Sequence, residues 1–408
     1  MTAVRTAVVI GGGIAGPVTA MALRRAGIEA TVYEAYDGTA DGVGGMLGIA
    51  PNGINALGVV GAGDAVRAAG WPVGTMVMQS WTGRRLARFG TEGGPPIMHV
   101  VWRSDLYRAL YDEAVRQGVR FEHGRRLTGA RDTGDGVTAI FADGSTARGD
   151  ILVGADGIRS TVRPIIDPAA PAPHYTGLLG FGGWADDVGL PSTGATMYFV
   201  YGKRALFSYA ATEDGRAGWF ANLPRREPMT AAEARAVGGE EWLRVLRETF
   251  EGDRSPALEI LRRADPATLV ITGAMEDLPT VPVWSRGRMV LTGDAAHATS
   301  PSSGQGASQA VESAVQLGRC LRDLPMEKAF AAYERLRRGR VERIIASGAR
   351  TDRDKAAGPV ARVVRDLTMP LFMKLFAKPE KMAWQFDYRI DWDAPVTAEV
   401  PLAAATGR

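Results

Sequence analysis

Three glycines near the start of the chain follow an apolar run and have a fixed spacing. Gly11, Gly13 and Gly16 form a G-x-G-x-x-G pattern, and Ile14 and Ala15 between them begin a helical pattern. In such a turn the glycines allow a sharp bend, the approach of a pyrophosphate and close packing of helix on strand. The free N–H groups of the helix N-terminus attract negative charge. The stretch therefore predicts a dinucleotide site.

A second apolar segment ends in Glu34. An acid at this distance from the glycines can accept hydrogen bonds from ribose hydroxyls, and it disfavours a 2′-phosphate. We therefore expect FAD or NAD at this site and not NADP. The alternative is a glycine-rich turn in an ordinary α/β unit. It is disfavoured because strand, glycines, helix, second strand and acid occur in order.

Two aspartates follow further apolar runs. Asp156 lies in a Gly-Ala-Asp-Gly segment, and Asp294 follows Thr-Gly. On the residues alone, Asp156 could form an ordinary Asp-Gly turn and Asp294 a helix cap. The segment after Asp294 continues through Pro301 to Gly306, where a helical pattern begins. It predicts a second helix N-terminus that could face a ligand.

The elements that must position these groups indicate an α/β chain with more than one unit. A chain of 408 residues is longer than one hydrophobic core usually serves. Aromatic segments of period 2 between residues 177 and 223 predict an antiparallel sheet inserted among the glycine-marked βα units. We divide the chain into cofactor-binding parts 1–74, 100–176 and 275–345, substrate-domain strands 75–99, a substrate-binding sheet with helices 177–274, and C-terminal helices and tail 346–408.

The composition argues against several classes of protein. Hydrophobic residues make up 46% of the chain and charged residues 23%, as is usual for a globular enzyme. The net charge is only +3 and no long basic run occurs, so nucleic-acid binding is not indicated. The densest arginine cluster, residues 335–340, is predicted to be the solvent-exposed face of a helix.

Neither disulfide nor metal chemistry is expected. Cys320 is the only cysteine, and the four histidines lack the spacing of metal ligands. The first apolar strand begins at about residue 6, which leaves no room for a signal peptide, and no apolar run has the length of a membrane span. We expect a cytoplasmic protein.

The three motifs together resemble the single-component FAD-dependent (group A) aromatic hydroxylase and monooxygenase family, which has the para-hydroxybenzoate hydroxylase fold. Their order and spacing cover the chain to about residue 345. The resemblance implies an α/β fold with a discontinuous Rossmann-like FAD-binding domain, an inserted antiparallel-sheet substrate domain and a C-terminal helical segment. Two positions differ from the common family pattern: Ser308 replaces an asparagine and Ser313 an aspartate.

The resemblance also implies roles for individual residues. The first motif would bind the FAD pyrophosphate, Glu34 the adenosine ribose and Arg103 the phosphate and ribose region. Asp156 would serve both FAD and the nicotinamide cofactor, and Asp294 the ribityl chain. The backbone near the flavin ring would be that of Pro301, Gly306 and Ala307. Donors and a helix dipole there would stabilise the anionic reduced flavin.

The chemistry implied by the resemblance is oxygen transfer. NADPH or NADH reduces FAD, oxygen adds to give a flavin hydroperoxide, and one oxygen atom hydroxylates a small, mostly apolar aromatic or polyketide-like substrate. Three alternatives stay open: an alkene epoxidase of the same family, an FAD-dependent isoprenoid-type reductase, and a non-catalytic flavoprotein that sequesters an intermediate. The sequence does not predict the oligomeric state or the identity of the substrate.

The inserted aromatic strands are the candidate substrate surface. Period 2 places Phe207 and Tyr209 on one face of their strand. Tyr201 and Trp219 are the candidates from the two neighbouring segments. We expect these four residues to contact an uncharged substrate, with the Tyr209 hydroxyl orienting it. The alternative is that they pack a core beneath helices.

Overall fold

The computed structural model describes residues 4–38, 44–90, 93–355, 358, 362–364, 366–369 and 379–397. One six-stranded sheet carries the glycine motif, in the strand order β18-β19-β12-β1-β2-β8. Its members are β1 (Thr6–Ile10), β2 (Glu29–Tyr33), β8 (Arg120–Glu122), β12 (Ile151–Gly154), β18 (Ser285–Arg286) and β19 (Met289–Leu291). All neighbours pair in parallel except β18 and β19.

The central strands of this sheet, β1 and β12, are mostly apolar, and only Thr6 at the start of β1 is exposed. β12 and β19 are buried at every position, as parallel strands covered on both faces must be. Ile10, Gly154 and Leu291 lie side by side in the register of β1, β12 and β19. The residues that follow these strands therefore meet at one edge of the sheet, the edge where α/β proteins bind ligands.

Helices cover the parallel sheet and the outer face of a second sheet. Along the chain they are α1 (Ala15–Arg25), α2 (Pro51–Val59), α3 (Gly63–Ala69), α4 (Arg103–Arg116), α5 (Val162–Ile166), α6 (Ala231–Ala236), α7 (Gly239–Phe250), α8 (Ala257–Arg263), α9 (Asp294–His297), α10 (Gly306–Asp323), α11 (Met326–Lys355) and α12 (Pro379–Phe386). A 3-10 turn, Pro301–Ser303, precedes α10.

The second sheet has seven strands in the order β17-β13-β16-β15-β14-β5-β6. They are β5 (Thr75–Ser80), β6 (Arg85–Gly90), β13 (His174–Ala185), β14 (Thr196–Tyr201), β15 (Leu206–Ala211), β16 (Ala217–Pro224) and β17 (Val270–Asp277). All neighbours are antiparallel except β14 and β5. The predicted fold class is confirmed: a discontinuous Rossmann-like unit carries an inserted, largely antiparallel sheet.

Two three-stranded sheets complete the described chain. They consist of β3 (Met46–Ile49), β4 (Trp71–Val73) and β7 (Met98–Trp102), and of β9 (Leu127–Asp132), β10 (Val137–Phe141) and β11 (Thr146–Gly149). Of the helices in the described ranges, none has the length and apolar character needed to cross a bilayer.

Several predicted segment boundaries fall inside regular elements. The boundary at 99/100 lies in β7, 176/177 in β13, 274/275 in β17 and 345/346 in α11. The six-part division of the chain stays a prediction. The continuation of α11 to Lys355 matters for the site, because it brings C-terminal side chains back to the two main sheets.

Candidate cofactor and substrate cleft

A cleft of about 1670 Å³ lies between the carboxyl edge of the parallel sheet and one face of the seven-stranded sheet. Residues from all three sequence motifs line it. The predicted cofactor residues at its wall are Gly11, Gly13, Ile14, Ala15, Glu34, Arg103, Asp156, Asp294, Pro301, Gly306 and Ala307. The fold thus brings together side chains that are separated by almost 300 positions in the sequence.

Gly16 has a different place from the other motif glycines, because it lies behind the wall. A Cβ atom on Gly16 would lie 1.8 Å from the carbonyl oxygen of Gly11. The absence of a side chain therefore lets α1 pack directly on the turn. By contrast, a Cβ on Gly13 would have Tyr107 Oη, at 3.8 Å, as its nearest neighbour. Space for a ligand exists at Gly13 and not at Gly16.

Glu34 joins the end of β2 to the glycine turn. Its Oε2 accepts a hydrogen bond from the Gly12 nitrogen at 2.6 Å, and its Oε1 accepts one from the Tyr36 nitrogen at 3.0 Å. Each carboxylate oxygen can accept a further bond. The side chain is partly open to the cleft. It can therefore brace the turn and receive ligand hydroxyls at the same time.

Arg103 and Asp294 form a pair of opposite charges on the cleft wall. Arg103 is the first residue of α4, and its Nε donates to Tyr107 Oη at 2.7 Å. Asp294 is the first residue of α9. Burial raises the pKa of the Asp294 carboxyl, and the charge of Arg103 opposes that rise. A cation and a hydrogen-bonding acid in one cleft suit a ligand that carries both phosphates and hydroxyls.

Asp156 has a structural task as well as a place in the cleft. It accepts hydrogen bonds from the Ser160 hydroxyl at 2.6 Å and from the nitrogens of Thr161 at 2.7 Å and Val162 at 3.1 Å. These bonds hold the segment that leads into α5. A role of Asp156 toward the nicotinamide cofactor stays a prediction.

Two helix starts face the cleft with their backbone N–H groups uncapped by side chains of the described residues. They are the start of α1 after Ile14 and the start of α10 after Gln305. Such starts attract anions. Two anion sites, a cation and a partly buried acid together fit FAD, which offers a pyrophosphate, a polyol chain and a ring that becomes anionic on reduction.

Ser308, one of the two departures from the family pattern, turns away from the cleft. Its hydroxyl oxygen accepts a hydrogen bond from the Ala50 nitrogen at 3.1 Å, and the side chain is fully buried. A Cβ on Gly53 of α2 would lie 2.6 Å from the Ser308 hydroxyl. The absence of a side chain at Gly53 therefore lets α2 approach α10 closely at Ser308.

The prediction that the arginine cluster 335–340 is a solvent-exposed face holds for Arg335 but is wrong for Arg337 and Arg340. Arg337 is 0% exposed and Arg340 10% exposed, and both form ion pairs with the fully buried Glu312 of α10. Burial alone would raise the pKa of Glu312, but the two guanidinium groups outweigh it and lower that pKa. The amide of Asn52 also donates to Glu312, at 2.6 Å. The network connects α2, α10 and α11.

His297 belongs to the same buried layer. Its Nε2 lies 2.7 Å from the hydroxyl of Ser313, the second departure from the family pattern, which also accepts a hydrogen bond from Arg337 Nε at 3.1 Å. Burial and the charge of Arg337 lower the pKa of His297 to about 3. The imidazole is therefore neutral at physiological pH, and its contacts are structural.

The side of the cleft opposite the motif residues is formed by one face of the seven-stranded sheet. The side chains there include, from β14 and β16, the predicted Tyr201 and Met197, Phe199, Phe220 and Asn222. Phe199 and Phe220 make an edge-to-face contact with ring centroids 5.8 Å apart. Apolar and aromatic side chains with few polar groups are typical of a small-molecule pocket.

Phe207, Tyr209 and Trp219 lie on the opposite face, so their prediction as substrate residues is corrected. Phe207 stacks on Trp219 at 5.6 Å and meets Phe250 of α7 edge-on at 5.2 Å. All three rings belong to the core between the sheet and helices α6 to α8. These side chains share one face because alternate residues of a pleated strand point the same way and because directly paired residues, such as Tyr209 and Trp219, lie on the same face.

The sequence analysis missed Lys355, the last residue of α11. Its Nζ donates to Asn222 Oδ1 at 2.7 Å and to Ser302 Oγ at 2.9 Å, and it lines the cleft. Burial lowers its pKa to about 8. No sequence pattern pointed to it, since it is one basic residue among many in this part of the chain.

A discontinuous Rossmann-like unit with a cleft of this kind defines a flavin-dependent oxidoreductase. Residues 4–204 and 279–347 match the protein family described as "FAD binding domain". The chain belongs to this family and, with the relatives described next, to the FAD-dependent group A monooxygenases.

The relatives and solved structures agree on this class. An FAD-dependent urate hydroxylase of Klebsiella pneumoniae is 33% identical over 352 residues, which cover 83% of this chain and 87% of the relative. The 3-amino-4-hydroxybenzoate 2-monooxygenase PtmB3 of Streptomyces platensis is 32% identical over 407 residues, 93% of this chain and 95% of the relative. The crystal structure of Klebsiella pneumoniae HpxO with FAD and uric acid has a TM-score of 0.79 at 28% identity, covering 90% of this chain and 93% of that one.

Proposed function

We propose that the protein uses NADPH or NADH and oxygen to hydroxylate a small, mostly apolar aromatic or polyketide-like molecule. One observation carries the proposal: a single cleft has residues suited to FAD on one wall and the aromatic face of a sheet on the other. A flavin ring at the N-terminus of α10 would then lie next to a substrate held against Phe199 and Phe220.

The residues of the cofactor wall would bind and orient FAD. The uncapped start of α1 and the Arg103 guanidinium would hold the phosphates, and Glu34 and Asp294 would accept hydrogen bonds from ribose and ribityl hydroxyls. The start of α10 would place backbone donors at the pyrimidine edge of the ring. Together these contacts position the cofactor before any chemistry occurs.

FAD would supply the redox and oxygen-transfer chemistry when bound. The chain itself would contribute electrostatic stabilisation and the exclusion of water. The dipole of α10 would stabilise negative charge on the ring. Met197, Phe199 and Phe220 present apolar surface that keeps water from the reacting atoms. The 3-10 turn Pro301–Ser303 and Gly304 form the backbone beside the ring position.

Three other functions fit the same cofactor wall: an alkene epoxidase of the same family, an isoprenoid-type reductase and a flavoprotein that only sequesters an intermediate. Oxygen consumption and the nature of the product distinguish the proposed function from each of these three. A hydroxylase and an epoxidase consume oxygen and give different products. A reductase consumes NAD(P)H without oxygen, and a sequestering protein consumes neither.

The experiment is an oxygen-electrode assay of the yellow holoenzyme with NADH or NADPH and a panel of aromatic and polyketide-like compounds. We expect at least one compound to accelerate NAD(P)H oxidation and oxygen uptake together, with one ¹⁸O atom from labelled dioxygen in the product. Substrate reduction under argon, or NAD(P)H turnover that no compound affects, would contradict the proposal.

A further inference from the structure

We propose that Lys355 orients the substrate by binding an anionic oxygen attached to its ring, as in a carboxylate, phenolate or enolate. The inference rests on the proposed function, because it takes the sheet face of the cleft as the substrate wall. It makes Lys355 a specificity-determining residue and replaces the expectation of an uncharged substrate.

Lys355 stands where three elements meet. It is the last residue of α11, and its Nζ donates to Asn222 of β16 and to Ser302 of the 3-10 turn. Asn222 lies on the cleft face of the sheet, two residues from Phe220, and Ser302 follows Pro301 on the cofactor wall. The ammonium group is therefore placed between the apolar substrate surface and the backbone beside the flavin position.

Among the side chains that the structure describes, no carboxylate lies within ion-pair distance of Lys355 Nζ. The charge of the nearby Asp352 opposes the lowering of the lysine pKa by burial, but the Asp352 carboxylate accepts a hydrogen bond from the Ser302 hydroxyl and not from Nζ. Of the three protons on Nζ, two are donated to neutral oxygens. The third has no acceptor among the described side chains, so a ligand can accept it, and a cation partly removed from water gains most from a partner of opposite charge.

The side chains next to Lys355 favour a ligand in which the anionic oxygen is attached to a flat, apolar ring. Met197, Phe199 and Phe220 line the same side of the cleft. Asn222 is held in place by Lys355 and by a contact of its amide nitrogen with Met275 Sδ at 3.3 Å. A ring packed on the aromatic pair with its anionic oxygen toward Nζ uses both features.

A purely structural role is the rival interpretation, since Lys355 also connects α11 to the sheet. The two interpretations differ in what depends on ligand charge. A structural lysine affects all ligands alike and lowers the unfolding temperature. An orienting lysine discriminates an anion from its neutral analogue, and its effect disappears when the ammonium loses its proton.

The experiment measures binding to the FAD-loaded protein by isothermal titration. The probes are 4-hydroxybenzoate against 4-hydroxybenzamide, and 4-nitrophenolate against 4-nitroanisole, so that carboxylate and phenolate are tested separately. The variants are Lys355→Met and Lys355→Arg, with Lys328→Met, an exposed lysine at the other end of α11, as the control. Unfolding temperature is recorded for each.

We expect wild type to bind at least one anion more tightly than its neutral analogue. Lys355→Met should weaken binding of the anion by about tenfold or more and binding of the neutral analogue by less than about twofold. Lys355→Arg should retain most of the preference, and Lys328→Met all of it. In wild type the preference should fall as pH rises through about 8. Among the described residues, Asp352 is the titratable group whose charge acts on Lys355, and it opposes the lowering of the lysine pKa by burial.

Equal losses for anion and analogue, or a wild type without preference for either anion, would overturn the role of Lys355. The proposed reaction fails separately: anion binding that depends on Lys355 without oxygen uptake for any compound would leave this role intact and refute hydroxylation.

Discussion

The backbone nitrogen of Gly12 donates a hydrogen bond of 2.6 Å to Oε2 of Glu34. This contact ties the first turn of the chain to the end of the neighbouring strand, β2. The two features predicted separately from the sequence, a glycine turn and a terminal acid, therefore form one unit. A variant of Glu34 changes the shape of the turn as well as any contact with ribose, so the glycines give the cleaner test of cofactor binding.

Gly13→Val should give a folded protein without FAD. The nearest atom to a Cβ at this position is Tyr107 Oη, at 3.8 Å, so the fold tolerates the side chain while the pyrophosphate position is filled. The measurements are flavin absorbance after purification and circular dichroism of the same sample. Full yellow occupancy would contradict the assignment.

Gly16→Ala is the matched control for that experiment. Its Cβ would meet the Gly11 carbonyl at 1.8 Å, so α1 must move away from the turn. We expect a large loss of soluble, folded protein, in contrast to the Gly13 variant.

Phe207→Ala and Phe199→Ala should affect different properties, stability and substrate binding respectively, because the two rings lie on opposite faces of the sheet. Phe207→Ala should lower the free energy of unfolding by about 3–5 kcal/mol. Phe199→Ala should cost less stability and should weaken substrate binding or uncouple NAD(P)H oxidation from product. Chemical denaturation and the ratio of product to NAD(P)H check these results. Tyr209→Phe should leave substrate affinity unchanged; a clear loss would return Tyr209 to the substrate site.

Glu312→Gln should be among the most damaging single changes in the helices. It leaves two buried guanidinium groups without their counter-charge, which should lower the free energy of unfolding by roughly 3–5 kcal/mol. Glu334→Gln is the control, because it removes a more exposed partner of Arg338 and should cost about 0–1 kcal/mol. Denaturant titration measures both, and similar losses in the two variants would argue against the buried network.

His297 should make the fold less stable as the pH falls. Its pKa is about 3 in the folded protein and about 6.5 in the unfolded chain, so the unfolded state binds more protons between these values. The contribution is fully present above about pH 6.5 and is lost progressively toward pH 3. At pH 5 wild type should have lost about 2 kcal/mol through this group. His297→Asn should lack that component, and an identical pH profile in both proteins would contradict the low pKa.

The gathering of the motif residues at one wall of the cleft was largely predictable from the sequence. Gly11, Glu34 and Asp294 each follow an apolar strand, and parallel strands end at one edge. The substrate half was not. The alternation of period 2 correctly sorts the residues of β15 into two faces, but it does not say which of the two faces lines the cleft. Phe207 and Tyr209 were therefore predicted on the wrong side of the sheet.

The buried charges show a second limit of sequence reasoning. A run rich in arginine is usually solvent-exposed, and only the approach of α10 reveals that Arg337 and Arg340 face Glu312. Lys355 was missed for a related reason. Its interest depends on its contacts with Asn222 of β16 and Ser302, and these side chains come together only in the folded chain.

The division of β14 to β16 into two faces has a consequence for altering the enzyme. Along each strand, cleft-facing and core-facing residues alternate, so Phe199 and Phe220 can be randomised while Val200, Phe207 and Trp219 are kept. A combinatorial library restricted to every second codon would vary substrate preference with little loss of folded variants. The pleat thus separates the positions that determine acceptance of new compounds from those that determine expression.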